Sequence, residues 1–204
     1  MRLTRIPAEA QPTLAWRNGG GLTRQIVRVG AEDGYAWRAS LARVDASGPF
    51  SEFPGYRRAI ALIEGGPLRL CFPDGQWLAV EPRLRSHLFP TDAAPVCELG
   101  EQAATVFNLI YDPTQVQPQL LPRPLVGSMV FFDQAGVDWL LYLLSGEAEL
   151  RLGAEHQWLG PMHGLLLEGD GGAERAVLSG GGEIVLVKIE RPLALRADAP
   201  LPSF

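Results

Sequence analysis

Cysteine, histidine and lysine are scarce in this sequence, and long hydrophobic runs are absent. The two cysteines, Cys71 and Cys97, are too few for a disulfide framework or a zinc-ligand set. The three histidines, His87, His156 and His163, contain no His-x-His pair, so we predict no bound metal and no other cofactor. No apolar run approaches the ~20 residues of a membrane-spanning helix, and the N-terminus lacks an apolar signal-peptide core. We therefore expect a cytoplasmic protein that does not associate with membranes.

The charge is unevenly distributed. The net charge of −5 disfavours nucleic acid as a partner, because a nucleic-acid-binding protein needs a basic surface. Residues 1–60 nevertheless carry nine Arg and five acidic residues, while the remainder of the chain is acidic. Two interpretations stay open. The arginines are either solvated side chains of an Arg-rich protein, or a few of them bind a small anion through their planar guanidinium groups.

Glycine and proline, at 23 and 17 residues, favour many short elements over long helices. Apolar segments such as 59–63 and 184–189 are bounded by glycine or proline turns, which is typical of a β-sandwich or β-barrel. The segment 65–70, followed by Gln-Trp-Leu at 76–78, resembles the segment 146–152, followed by Gln-Trp-Leu at 157–159. We predict an all-β bicupin: two antiparallel jelly-roll-like β-barrels that arose by internal duplication. The N-terminal cupin-like barrel covers 1–113 and the C-terminal one covers 114–204.

The most unusual motif is Trp16-Arg17-Asn18-Gly19-Gly20-Gly21-Leu22-Thr23-Arg24. Consecutive glycines permit positive φ and bring backbone N–H groups close to a bound group, as in an anion-binding nest. The motif lacks the Gly-Lys-Ser/Thr ending of a phosphate loop. From the residues alone, a tight turn before a strand and a ligand-binding loop are equally consistent with this motif.

Polar residues also occur within predicted strands. Arg38, Ser40 and Ala42 alternate along one strand and share a face, which points either to solvent or to the barrel lumen. A lumenal Arg38 would bind a carboxylate, with Ser40 as a second donor. Asn108 lies in an apolar strand, where a buried amide needs hydrogen-bond partners. We assign the nearby aromatic residues at 50 and 53 to the core.

These motifs resemble the HutD/Ves family, which is associated with bacterial histidine utilisation. The resemblance rests on the segments 16–26, 37–42, 48–58 and 107–110, which include Trp-Arg-Asn-Gly-Gly-Gly, Trp-Arg-Ala-Ser-Leu-Ala and Phe-Asn-Leu-Ile. It implies a bicupin without an established catalytic activity that restrains flux through histidine catabolism. It also indicates Arg58, rather than its neighbour Arg57, as the functional arginine of that pair.

We therefore expect a small-molecule-binding regulatory protein of histidine catabolism, with a small anionic ligand such as urocanate, formiminoglutamate or formylglutamate. No catalytic residue is assigned. The alternatives are a metal-independent hydrolase or isomerase, with Glu52 or Asp45 as the base, and a protein-interaction module that uses the apolar segment 139–144. Homodimer formation is left open. The predicted ligand-binding residues are Trp16, Asn18, Gly19, Thr23, Arg38, Ser40, Arg58 and Asn108.

Overall fold

Strands joined by tight turns make up almost all of the regular structure. The computed structural model describes residues 1–16, 19–31 and 34–191. Over these ranges the only helix is a short 3-10 turn at Ala8–Ala10, and no helix is long and apolar enough to cross a membrane. The strands of the described residues are β1 (Arg2–Ile6), β2 (Thr13–Ala15), β3 (Gly21–Ala31), β4 (Gly34–Val44), β5 (Gly48–Pro49), β6 (Arg57–Gly65), β7 (Leu68–Cys71), β8 (Trp77–Val80), β9 (Ser86–Pro90), β10 (Val96–Leu99), β11 (Ala104–Tyr111), β12 (Gln117–Phe132), β13 (Val137–Leu152), β14 (Glu155–Leu159), β15 (Gly164–Glu168) and β16 (Arg175–Glu190).

The chain divides into two compact units. The first unit comprises residues 6–113 and 120–123, and the second comprises residues 1–5, 114–119 and those from 124 onward. The first unit contains two sheets, with strand orders β2-β3-β4-β11-β6-β9 and β5-β10-β7-β8. Both sheets contribute to one apolar core, in which Ile60 and Val106 of the larger sheet join Leu70 and Val80 of the smaller one. Two antiparallel sheets around a shared core form a jelly-roll-like sandwich.

The second unit is built around one long antiparallel pair of strands, β13 and β16. Its sheet has the order β1-β15-β13-β16-β12, with β14 paired to β13. Strands β13 and β16 pair along almost their whole length, and their inner residues, such as Leu150 and Leu178, are fully buried. The strand β1 comes from the start of the chain. Met1, which directly precedes this strand, donates a hydrogen bond from its amino group to Oδ2 of Asp133 at 2.8 Å.

The two units repeat one arrangement of strands. In the first unit, β6 pairs with β9 and β11, and β7 pairs with β8 and β10. In the second unit, the single strand β13 corresponds to β6 and β7 together, and the single strand β16 corresponds to β10 and β11 together. Gly65 and Gly146, which are 81 residues apart in the sequence, adopt φ of +87° and +85°, and each follows a matching irregularity of the register by two residues. This correspondence confirms the predicted internal duplication and the all-β bicupin fold, in which the sheets of the described residues stay open instead of closing into barrels.

Candidate functional site

The first unit contains a half-open cavity of about 640 Å³, a size suited to a small molecule. Its wall combines aromatic rings, hydroxyl groups, one amide and two guanidinium groups. The described wall contains no carboxylate, imidazole or thiol group. The lining residues are Leu14, Ala15, Trp16, Thr23, Arg38, Ser40, Ala42, Pro49, Phe50, Ser51, Phe53, Arg58, Asn108 and Ile110.

Strand register places the polar groups at one end of the cavity. Strands β4, β11 and β6 are neighbours, and Ile110 of β11 lies opposite both Arg38 and Arg58. The next inward-facing row contains Asn108, which pairs with Ser40 and with Ile60. On these three strands the following row, which consists of Ala42, Val106 and Leu62, is apolar. Because side chains two residues apart share a face, the wall changes from cationic, through neutral polar, to apolar along the strands.

Arg58 is a buried cation. The residue is only 4% exposed. Its guanidinium carbon lies 5.2–5.6 Å from the ring centroids of Phe50, Phe53 and Phe89. One N–H donates to the carbonyl oxygen of Ser51 at 3.2 Å. Burial, followed by the charge of Arg38, lowers the pKa of Arg58 to about 10. The group therefore remains charged at neutral pH in surroundings that favour the arrival of an anion.

Several buried polar atoms of this region have no hydrogen-bond partner. They are Nε of Arg38, Nε of Arg58, Oδ1 of Asn108 and the hydroxyl of Tyr35. The guanidinium of Arg38 lies over the rings of Tyr35 and Phe53, at 5.6 Å and 5.3 Å. Among the described residues, no carboxylate forms an ion pair with either arginine of the cavity. Unpaired buried polar groups are uncommon and costly. Since no described carboxylate pairs with the two guanidinium groups, this end of the cavity carries uncompensated positive charge.

The glycine-rich loop positions Trp16 at the cavity. The indole N–H of Trp16 donates to the hydroxyl of Thr23 at 2.8 Å, and its ring packs edge-on against Phe50 at 5.9 Å. The backbone N–H of Gly19 donates to the carbonyl of Trp16 at 3.0 Å, with φ of +71° at Gly19. The N–H of Trp16 in turn donates to the carbonyl of Gly21 at 2.9 Å. Gly21 packs so closely on the β4 backbone that a side chain there would overlap the carbonyl of Arg43.

Six of the eight predicted ligand-binding residues line the cavity. Gly19 lies in the adjacent loop and is not part of the wall, and Asn18 lies outside the described residues. Phe50 and Phe53 were not among the predicted ligand-binding residues, because their sequence pattern indicated the core. Phe50 does belong to the core cluster, but it also lines the cavity, as Phe53 does. The segment 48–58, which resembles the HutD/Ves family and also contains Arg58, was the feature of the sequence that could have placed both phenylalanines at the cavity.

The histidines are far from forming a metal-ligand set. His87 contacts the carbonyl of Glu81 at 3.1 Å, and His156 contacts a carboxylate oxygen of Glu149 at 2.8 Å. Within the described ranges, no group of three or more His, Cys, Asp or Glu residues is arranged to hold a metal ion. Both cysteines are free thiols, and burial raises the pKa of Cys97 to about 11. The absence of a bound metal or cofactor stays a prediction.

Duplicated jelly-roll-like units, one of them with a ligand-sized cavity, define a two-domain cupin. A bacterial pirin from Escherichia coli shares this fold, with a TM-score of 0.70 over 94% of this chain and all of that one, at 10% identity. The chain belongs to the HutD family, whose model matches residues 8–186. An uncharacterised 21.2 kDa protein in the hutC 3' region of Pseudomonas putida is 34% identical over 172 residues, which is 83% of this chain and 88% of that protein.

Two solved structures are also similar in sequence and in fold. A conserved protein of unknown function from Pseudomonas aeruginosa PAO1 has a TM-score of 0.81 at 29% identity, over 93% of this chain and 98% of that one. HutD from Pseudomonas fluorescens SBW25 has a TM-score of 0.77 at 28% identity, over 94% and 100%. The predicted family is therefore confirmed.

Proposed function

We propose that this protein binds a small carboxylate in the cavity of its first unit and acts as a cytoplasmic regulator of histidine catabolism. The observation that carries the proposal is the pair of arginines, Arg38 and Arg58, which line a ligand-sized cavity without a carboxylate partner among the described residues. Guanidinium groups bind carboxylates through paired, charge-assisted hydrogen bonds. An anion in this position would stabilise both charges.

The family association supplies the candidate ligands. HutD proteins are associated with histidine utilisation, and the relative from Pseudomonas putida lies in a hutC 3' region. Urocanate, formiminoglutamate and formylglutamate are carboxylates of that pathway and fit the charge of the cavity. The apolar row beyond Asn108 offers room for an uncharged part of such a molecule.

Binding is favoured over catalysis by the chemistry of the wall. Of the two acids considered as a general base, Asp45 pairs with Arg43 at 2.7 Å, and Glu52 is exposed and does not line the cavity. The hydroxyl of Thr23 already accepts a hydrogen bond from Trp16. Nothing described in the wall activates the hydroxyl of Ser40, as nucleophilic catalysis would require. We therefore retain the regulatory ligand-binding role as the proposal.

An interaction module based on residues 139–144 has less support. The side chains of Leu140, Leu141, Tyr142 and Leu143 are fully buried, so that segment serves the core of the second unit. Homodimer formation stays open.

The test is a thermal-shift screen with histidine, urocanate, formiminoglutamate and formylglutamate. A ligand at 100 times its Kd adds about 2.7 kcal/mol of stability. For a chain of this size, that raises Tm by roughly 5–11 °C. The proposal fails if none of the carboxylates raises Tm and none binds by calorimetry.

Adjacent arginines provide a matched pair of variants. Arg58 faces the cavity, whereas Arg57, the preceding residue of β6, is exposed on the opposite face. Arg58→Met should remove the response to the ligand, and Arg57→Met should retain it. A ligand response that survives in Arg58→Met would place the binding site elsewhere.

A further inference from the structure

The two arginines of the cavity flank Ile110 in one cross-strand row. Arg38 on β4 and Arg58 on β6 both lie opposite Ile110 of the central strand β11. Since neighbouring strands are about 4.8 Å apart, the backbones at these two positions are roughly 10 Å apart. Both guanidinium carbons lie against the ring of Phe53, at 5.3 Å and 5.5 Å from its centroid. The two charged heads therefore converge on the same part of the cavity.

One carboxylate cannot neutralise both groups. The charge of Arg38 disfavours the charged form of Arg58, so the two guanidinium groups repel each other. The described wall contains no Asp or Glu that could separate them. A single bound carboxylate leaves one positive charge uncompensated, whereas two carboxylates would neutralise both guanidinium groups and remove their repulsion.

We propose that the cavity selects dicarboxylates, whose two carboxylate groups are joined by a short chain and bind Arg38 and Arg58 on either side of Ile110. This inference rests on the proposed function, because it assigns the ligand class of the same cavity. It is also narrower than that function, since a cavity for monocarboxylates would satisfy the proposed function and not this inference.

The experiment compares three simple probes by isothermal titration calorimetry at constant ionic strength and neutral pH. Glutarate carries two carboxylates, glutaramate replaces one of them with an amide of similar shape, and butyrate lacks that group altogether. Losing one charge-assisted contact should weaken binding at least tenfold. We expect glutarate to bind at least tenfold more tightly than either monocarboxylate.

Variants of Arg38 identify the source of the selectivity. In Arg38→Gln, the ratio of glutarate to glutaramate affinity should fall close to one, while butyrate affinity changes little. Arg38→Lys keeps the charge and should restore part of the ratio. The control is Arg43→Gln, because Arg43 lies on the same strand, is exposed and pairs with Asp45. A change in stability alone would leave the ratio of affinities unaltered, so this readout separates ligand binding from folding.

The outcomes distinguish the two proposals. Equal affinity for glutarate and glutaramate would overturn dicarboxylate selection and leave the proposed carboxylate-binding function standing. Selectivity that persists in Arg38→Gln would overturn the assignment of Arg38 as the second anion contact. No measurable binding of any of the three probes would overturn this inference, whereas the carboxylate-binding function would be overturned only if the thermal-shift screen of the pathway carboxylates were also negative.

Discussion

Replacing Arg58 with methionine tests whether the buried charge serves ligand binding or stability. The surroundings of Arg58 lower its pKa from an ordinary value above 12 to about 10. At 1.36 kcal/mol per pKa unit, this fall corresponds to a cost of roughly 3 kcal/mol for holding the charged group in the folded protein. Because the folded pKa is the lower one, this cost is fully present at neutral pH and decreases only as the pH rises above about 10.

Other contacts of Arg58 offset part of that cost. The hydrogen bond to the carbonyl of Ser51 contributes about 1 kcal/mol. The three aromatic contacts contribute roughly 0.5–1 kcal/mol each. Methionine keeps much of the side-chain volume and adapts to irregular space. The gains and losses nearly cancel, so we expect Arg58→Met to change the free energy of unfolding by no more than about 1 kcal/mol, in either direction.

The assay is urea denaturation of the ligand-free protein, followed by tryptophan fluorescence and circular dichroism. Ile60→Ala is the comparison, because Ile60 lies two residues further along β6, is fully buried and is purely apolar. That variant should lose about 2–5 kcal/mol. If Arg58→Met is destabilised as strongly as Ile60→Ala, the arginine connects the strands structurally and the reasoning from an uncompensated charge is refuted.

Three further outcomes are expected. Calorimetry should give one ligand per chain, because the position of the second unit that is equivalent to Arg58, 81 residues later, is Trp139 and offers no cation. A stoichiometry of two would contradict this. Ligand binding should alter tryptophan emission, and Trp16→Phe should abolish the change, because Trp16 lines the cavity; an unaltered response in that variant would show that another indole reports binding. Gly146→Ala should lower stability by about 3 kcal/mol or more, because its Cβ would overlap the carbonyl of Gly181. Gly75→Ala, at a similar positive φ but in open space, should cost only about 1 kcal/mol as measured by denaturation.

The duplicated β fold could be predicted from the sequence because its signals are local. Glycine and proline turns bound each short apolar strand, and the Gln-Trp-Leu repeat falls at equivalent hairpins, where Trp77 and Trp158 are both exposed. The polar face of β4 was also visible, since Arg38 and Ser40 are two residues apart. Alternation alone could not choose between solvent and lumen for that face. The choice depends on which sheet covers it, and that is decided by residues distant in the sequence.

Long-range pairing also explains what the sequence could not predict. The strand β1 joins the second unit although it begins the chain. No local pattern of apolar residues at 2–6 identifies β15 as its neighbour. Similarly, Phe50 contacts both the core and the guanidinium of Arg58. A phenylalanine that serves both purposes has the same sequence signature as one that serves only the core.

The duplication allows the cavity wall of the first unit to be compared with the equivalent positions of the second unit. Arg58 and Trp139 each lie seven residues before the glycine at the matching irregularity, Gly65 or Gly146. Register across the neighbouring strand likewise matches Asn108 with Leu186. In the second unit, Trp139 packs edge-on against the ring of Phe131 at 5.1 Å. An apolar pair at these positions fills space and stabilises the unit, whereas the arginine and amide of the first unit leave buried polar atoms unpaired. Because such atoms lower the stability of the ligand-free protein, their presence in the first unit is what the proposed ligand-binding role of that unit predicts.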